Sequence, residues 1–365
     1  MYAIELSNIS KSYRRTKVLK DVSLKIAEGS FTVVFGGPAT GKSVLQRLIV
    51  GLEKPDSGTI LIRSKDAAKI IPSERNIGYI PQSFALYPHY SVYDNIAYPL
   101  QLVGTSSADI KPVVEEAAGL LKITHLLGKK PNQLSGGEKQ RVAIARGIVK
   151  NTEIFIFDDP LTGLDFKLRE QLFDDFRRLR ETLGATFIYT TSDPLETLMM
   201  ASEVAILTDG TIVEQGEVES VYYTPRHAKT MLSLGFPEAT LLSGKLESQN
   251  SQLYCRTKLF DFRADLPSGA NGRSEVVVGV RPQDLHVNET FADNWLTVGA
   301  HITLSEDLGG ELVLNLEKDD FTFQAVLPHR KAHLLSGDVV SISVNPEALV
   351  IFDPTSGWRL GQGAA

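Results

Sequence analysis

Apolar and polar positions follow three periods along this chain, and each period marks out its own territory. Ile4, Leu6 and Ile9 alternate with polar neighbours, and Val18, Leu19, Val22, Leu24 and Ile26 resume the alternation after a basic turn. One apolar face and one wet face describe an antiparallel β layer. Phe31, Thr32, Val33, Val34 and Phe35 instead form an unbroken run, the composition of a strand covered on both faces. Val44, Leu45, Leu48, Ile49 and Leu52 then fall on one side of a helix that stops near Gly51. Further strands are predicted over 58–62, 77–82, 154–157, 186–191 and 204–207, with a helix over 168–183 and a hairpin turn at Asp209 and Gly210. Strands that alternate with helices predict a parallel α/β core over residues 1 to about 230.

Two stretches depart from that alternation. Residues 84–150 read as a mostly helical insertion, with helical segments over 92–102 and 111–127 and a break at 104–107. Inside it, Ser135 and Glu138 have the spacing of a capping box, so a helix is predicted to start there, with Val142, Ala143, Ala145, Ile148 and Val149 on its buried side. Beyond residue 235 helical periodicity nearly disappears. Short alternating runs at 276–278, 296–304, 312–316, 321–327, 339–344 and 349–352, separated by glycine turns, predict a small β-barrel domain. The expected division is therefore 1–235 and 236–365.

Composition adds exclusions rather than detail. The formal charge of −6 speaks against a sequence-independent nucleic-acid binder, and Cys255 alone cannot make an internal disulfide. The first residues are too polar for a secretory signal, and no apolar run reaches the ~18–20 residues a membrane span needs. Work at a membrane would proceed through partners.

The chemistry is concentrated at three places. Gly36, Gly37, Pro38, Ala39, Thr40, Gly41, Lys42 and Ser43 satisfy G-x-x-x-x-G-K-S directly after a predicted strand and before a predicted helix. In that context the loop turns backbone N–H groups toward phosphates at a helix N-terminus, Lys42 reaches the β- and γ-phosphates, and Ser43 can ligate Mg²⁺. Leu134, Ser135, Gly136, Gly137 and Glu138 place a second glycine pair at a helix start, again offering N–H groups to an anion. The strand at 154–157 ends in Asp158 and Asp159, where ligands sit in open parallel sheets. Gln82 ends another strand, Tyr13 lies in a turn, and His89 and His125 have no metal-ligand spacing.

Taken together, these motifs identify the chain as a member of a family. Residues 1 to about 235 resemble the nucleotide-binding subunit of an ATP-binding cassette (ABC) transporter, and the full length resembles the ATPase of maltose-type importers. Val280, Arg281, Pro282, Gln283, Asp284 and Leu285 look like a recurring phrase of the C-terminal domain of those ATPases, and Ala85, Leu86, Tyr87, Pro88 and His89 look like the entry to their helical subdomain. The resemblance implies a P-loop NTPase core with a helical subdomain, followed by an all-β OB-like (TOBE) C-terminal domain. It implies ATP and Mg²⁺ as cofactors, with an ATP site built from Tyr13, Val18, residues 36–43 and Val44. Tyr13 would stack on adenine, Ser43, Gln82 and Asp158 would serve the metal, and Asp159, Ser192 and Gln82 would occupy catalytic positions. Ser135, Gly136, Gly137 and Glu138 would close over the ATP of a second ATPase subunit, with Asp165 in the loop between the two sites. Gln82 and residues 87–90 would lie beside the groove for a permease coupling helix. Implied partners are that second ATPase subunit, two membrane permeases and an extracytoplasmic binding protein, with no nucleic acid. The implied location is the cytoplasmic face of the plasma membrane, and the implied cargo a sugar, a polyol such as glycerol, or glycerol phosphate.

Three departures from the family stand out. Asp159 replaces the usual Glu, Ser192 replaces the usual switch His, and Pro38, Ala39 and Val44 alter the phosphate loop. The first two imply slow hydrolysis at the chain's own site, while the Ser135–Glu138 signature is intact. That combination leads us to expect a heterodimer with a catalytically complete partner.

Overall fold

The computed structural model describes all residues except 151, 250–251, 268–273, 290, 292–293, 329–333, 335 and 365. The chain forms two compact units, Met1–Val218 and Glu219–Ala365.

In the first unit the expected antiparallel layer is a four-stranded sheet. It contains β1 (Tyr2–Tyr13), β2 (Thr16–Ala27), and, after β3 (Phe31–Phe35) and α1 (Lys42–Val50), also β4 (Ser57–Ile62) and β5 (Lys65–Asp66), in the order β2-β1-β4-β5. The larger sheet holds β3 with β6 (Ile77–Ile80), β7 (Ile154–Asp158), β8 (Thr186–Thr191), β9 (Glu203–Thr208) and β10 (Thr211–Glu217), in the order β10-β9-β3-β8-β7-β6. All its neighbours run parallel except β9 and β10, which form the hairpin that Asp209 and Gly210 turn. Every residue of β3, β7 and β8 is buried, which is why β3 and β7 read as short apolar runs. Leu45, Leu48 and Ile49 of α1 share one apolar core with residues of both sheets. Burial on that scale contributes roughly 1.5–3 kcal/mol per large side chain and fixes the helix below its phosphate loop.

The insertion is helical as expected: α2 (Val92–Leu102), α3 (Ser107–Leu120) and α4 (Gly136–Ile148) lie between β6 and β7. The expected helix over 111–127 is displaced. Ser106 caps α3 five residues early by accepting the N–H of Asp109, and Lys122 in the left-handed region (φ 58°) ends it, leaving only a 3₁₀ turn at Thr124–Leu126. After α5 (Phe166–Leu183), α6 (Pro194–Met200) follows β8 and is capped by Asp193. Across the described residues no helix is long and apolar enough to cross a membrane.

The second unit begins before the boundary expected at 235. Helices α7 (Val218–Tyr223) and α8 (Ala228–Ser233) precede eleven strands from β11 (Thr240–Gln249) to β21 (Arg359–Ala364). Ala228 and Met231 pack in one cluster with Ala239, Val350 and Phe352. Arg281, buried, donates to the carbonyls of Leu234 (2.9 Å) and Tyr222 (2.7 Å), so residues 219–235 are built into the β unit. The strands form a closed six-stranded barrel and a separate five-stranded sheet, whose apolar faces meet in a single core. The strands over 240–265 escaped the sequence reading because polar residues interrupt them.

His227 is a pH-sensitive joint of this unit. Its Nδ1 accepts the N–H of Lys229 at 3.1 Å, and its Nε2 donates to the carbonyl of Ser356 at 3.2 Å. Burial pushes its pKa down, more than the bond to Ser356 raises it. The neutral ring is therefore the native form, and its stabilisation is complete above the unfolded pKa of about 6.5 and lost as pH falls through the lower folded value. Urea unfolding between pH 7.5 and 5 is expected to show falling stability, with a shallower fall for His227→Gln; equal slopes would show that His227 does not carry it.

Candidate nucleotide-binding site

The loop between β3 and α1 is held by contacts that only its sequence permits. A Cβ at Gly36 would lie 2.2 Å from the carbonyl oxygen of Leu207, and Gly41 has φ 106° with Leu19 2.7 Å from its missing Cβ. Ala39 occupies the left-handed region (φ 59°) with a side chain, a strained position where glycine is ordinarily favoured. Thr40 donates to the carbonyl of Gly37 at 2.9 Å. The ammonium of Lys42 folds back onto the carbonyls of Gly36 (2.5 Å) and Gly37 (2.9 Å). Burial lowers the Lys42 pKa, and the nearby charges of Asp159 and Asp158 work against that fall.

Residues 38–44 form one wall of a cavity of about 450 Å³, and Val18, Gln82, Asp159, Thr162 and Ser192 also line it. The sequence-selected residues of the phosphate loop, Gln82, Asp159 and Ser192 are thus brought together. Asp158, at the end of β7, is nearly buried and accepts from Ser43 Oγ at 3.0 Å, Thr190 Oγ1 at 3.2 Å and Tyr79 OH at 3.2 Å. Gln46 of α1 braces the same corner by donating to the Phe157 carbonyl (2.9 Å) and Thr190 Oγ1 (3.1 Å). A serine hydroxyl beside a carboxylate oxygen is a hard oxygen donor pair that fits Mg²⁺, which takes few protein ligands and completes its shell with phosphate and water.

Asp159 is half-buried in the left-handed region (φ 47°), with its N–H on the Thr190 carbonyl at 3.1 Å. Its Oδ1 accepts the Thr162 hydroxyl at 2.5 Å. Ser192 is exposed on the turn after β8, and that turn is well braced. Thr191 Oγ1 accepts the N–H of Asp193 (3.0 Å) and donates to Glu196 (2.7 Å), which also accepts from Tyr189 OH (2.7 Å). Burial raises the pKa of Glu196 against the pull of these two hydroxyls.

Two groups of selected residues stand apart from the cavity lining. Ser135 caps α4: its Oγ accepts the N–H of Glu138 at 3.3 Å, and its N–H donates to Glu138 Oε2 at 2.7 Å, completing the expected box. Gly136 is exposed, while Gly137 is buried, with Leu168 3.0 Å from the Cβ it lacks. Tyr13 ends β1, and its hydroxyl donates to Glu53. Tyr79, Thr162, Thr190 and Gln46 were not legible as site residues. Thr190 stands beside Asp158 only because β7 and β8 pair in parallel register.

A strand, a glycine loop stapled onto a helix start, and a carboxylate at the end of another parallel strand of the same sheet, bonded to the hydroxyl at that helix start, define a P-loop nucleotide-binding protein. The model of the ABC transporter family matches residues 19–162. An sn-glycerol-3-phosphate import ATP-binding protein of Psychromonas ingrahamii is 34% identical over 97% of this chain and 94% of its own length. The trehalose/maltose import ATP-binding protein of Thermococcus litoralis is 33% identical over 98% of this chain and 99% of its own. The sulfoquinovosyl glycerol transport ATP-binding protein of Agrobacterium fabrum is 32% identical over 98% and 99%. The dimeric ATP-binding cassette MJ0796 bound to ADP and Pi superposes with TM-score 0.55 at 29% identity, covering 59% of this chain and 98% of that one. This chain belongs to the ATP-binding proteins of ABC transporters.

Proposed function

We propose that this chain is the ATP-binding subunit energising an importer for a sugar, a polyol such as glycerol, or a glycerol phosphate. The relatives support that cargo range, since by name they import sn-glycerol-3-phosphate or trehalose and maltose, or transport sulfoquinovosyl glycerol. Lys42 leaves the Gly36 and Gly37 carbonyls to take the terminal phosphates, and residues 36–43 present their N–H groups to the same anion. Ser43, Asp158 and Gln82 would hold Mg²⁺, which would supply charge neutralisation of the phosphates. Ser135, Gly136, Gly137 and Glu138 serve the nucleotide of a second ATPase subunit. Such a subunit acts at the cytoplasmic face of the membrane, through permeases that receive cargo from an extracytoplasmic binding protein.

The finer reading concerns rate. Its carrying observation is that residues 38–44 and Gln82 line one cavity with Asp159 and Ser192, while Asp158 accepts from the Ser43 hydroxyl. An aspartate carboxylate is retracted by about 1.5 Å, one carbon–carbon bond, relative to glutamate. Here it is also engaged by Thr162. Ser192 is shorter than histidine and carries no positive charge toward the γ-phosphate. The own site thus binds MgATP and hydrolyses it slowly, and the intact signature completes the site of a different, catalytically competent subunit. The test is to purify the chain alone and together with the ATPase encoded beside it. The heterodimer reading expects slow turnover alone and fast turnover in the pair. Turnover no faster in the pair than in a dimer of this chain alone would replace it with the alternative of a slow homodimeric ATPase, and no turnover by any pairing with a non-catalytic, ATP-clamping subunit.

A further inference from the structure

The end of the β1–β2 hairpin is fastened to the turn that follows α1 by five separate contacts. Asp56 donates its N–H to the Ser10 carbonyl at 2.9 Å, and Ser12 donates its N–H to Asp56 Oδ2 at 2.6 Å. Lys11 Nζ donates to the Lys54 carbonyl at 2.8 Å and pairs with Asp56 at 3.4 Å. The Tyr13 hydroxyl donates to Glu53, and Glu53 is itself paired with Arg47, in the last turn of α1, at 2.6 Å. Tyr13 is therefore not a free loop aromatic. Its hydroxyl is tied through Glu53 to the far end of the helix whose beginning holds the phosphate loop.

The Lys11 ammonium lies over one face of the ring, 5.5 Å from its centroid, and Tyr13 remains 39% exposed. Tyr13 pairs with Thr16 across the hairpin, and Val18, two residues further along β2, lines the nucleotide cavity. A base extending from a nucleotide in that cavity meets the ring at the hairpin end, on the face Lys11 leaves free. A cation on the opposite face also polarises the ring's π system.

We propose that Glu53 is a positioning residue for nucleotide binding, which holds the Tyr13 ring in place for the base, with Lys11 closing the ring's other face. This rests on the reading of Tyr13 as the adenine platform. Ordering a rotamer-rich side chain at the moment of binding weakens affinity, and a prearranged tether removes that cost. Glu53 acts on the base and not on the phosphates, because Lys42 and residues 36–43 hold the phosphates without it.

That separation supplies the test. Calorimetric titration of the full chain with MgATP and with inorganic tripolyphosphate compares Tyr13→Phe, Glu53→Ala, their double variant and Tyr13→Ala. Tyr13→Phe and Glu53→Ala are each expected to weaken MgATP roughly 3- to 10-fold, and the double no further than Glu53→Ala, with tripolyphosphate affinity unchanged throughout. Unchanged MgATP affinity for Glu53→Ala, alongside a loss for Tyr13→Ala, overturns the assignment. An equal loss toward tripolyphosphate overturns it too, by showing that Glu53 merely supports α1. Unchanged MgATP affinity for Tyr13→Ala overturns instead the underlying reading of Tyr13 as the platform.

Discussion

Replacing Asp159 with glutamate and Ser192 with histidine together is expected to raise the steady-state ATPase rate of the purified chain at least about 100-fold. The figure follows from placement. A reacting group held on the order of 1 Å from its productive position loses roughly 100-fold, and a missing charge-stabilising donor costs a similar factor. In this chain Asp159 is drawn aside by the Thr162 hydroxyl at 2.5 Å, so the extra methylene of glutamate both lengthens the reach and frees the carboxylate from that local bond. Ser192 sits on a turn already braced by Thr191, Asp193 and Glu196, so a histidine there enters a prepared backbone. Each single substitution is expected to recover only part of the gain, because both groups act on one transition state. Phosphate release at saturating MgATP, with binding measured in parallel, checks this. An unsubstituted chain already fast, and unmoved by both changes, would remove the case for a weakened own site.

What the sequence disclosed about this site depended on whether the signal was contiguous. Gly36, Gly41, Lys42 and Ser43 are neighbours in the chain, and their loop needs nothing from elsewhere to be recognised. The buried β3 and β7 were legible for the same reason, as short apolar runs. Thr190 and Tyr79 reach Asp158 only through strand pairing, and Thr162 reaches Asp159 only through a tight turn with a left-handed residue. No period in the sequence announces those contacts. The helices α7 and α8 are too short for a periodicity, and the signal that they belong with the β unit is Arg281, some fifty residues away, donating to Tyr222 and Leu234. The strands over 240–265 give little apolar contrast because their buried side carries small residues such as Gly244 and Ala264 between Lys245, Glu247, Arg263 and Asp265. Local chemistry was readable, and assembly was not.

The other large effect concerns the strut between the helix carrying the signature and the core. Arg141 of α4 approaches Asp175 of α5 at 2.9 Å, Lys122 stands 3.9 Å from the same carboxylate, and Asp175 is only 1% exposed. Neither carboxylate oxygen finds hydrogen-bond geometry, so the contact is an ion pair held by Coulomb attraction alone. Burial raises the Asp175 pKa, and the attraction of Arg141 and Lys122 does not fully offset it. Removing the arginine strands a buried charge, so Arg141→Met is expected to cost about 3–5 kcal/mol, lowering the melting temperature by roughly 10 °C. The half-exposed Lys122 cannot replace it. Adding Asp175→Leu should return most of that loss, because an apolar pair of similar volume carries no desolvation penalty. The pH dependence has a definite sign. A carboxyl whose folded pKa is raised is best tolerated below its unfolded value and loses stability as pH rises through the folded one. The deficit of Arg141→Met should therefore be greatest near neutrality and shrink as pH falls and Asp175 takes up a proton. A deficit constant with pH, or a double variant no more stable than Arg141→Met alone, would show that the strut acts by packing and not by charge.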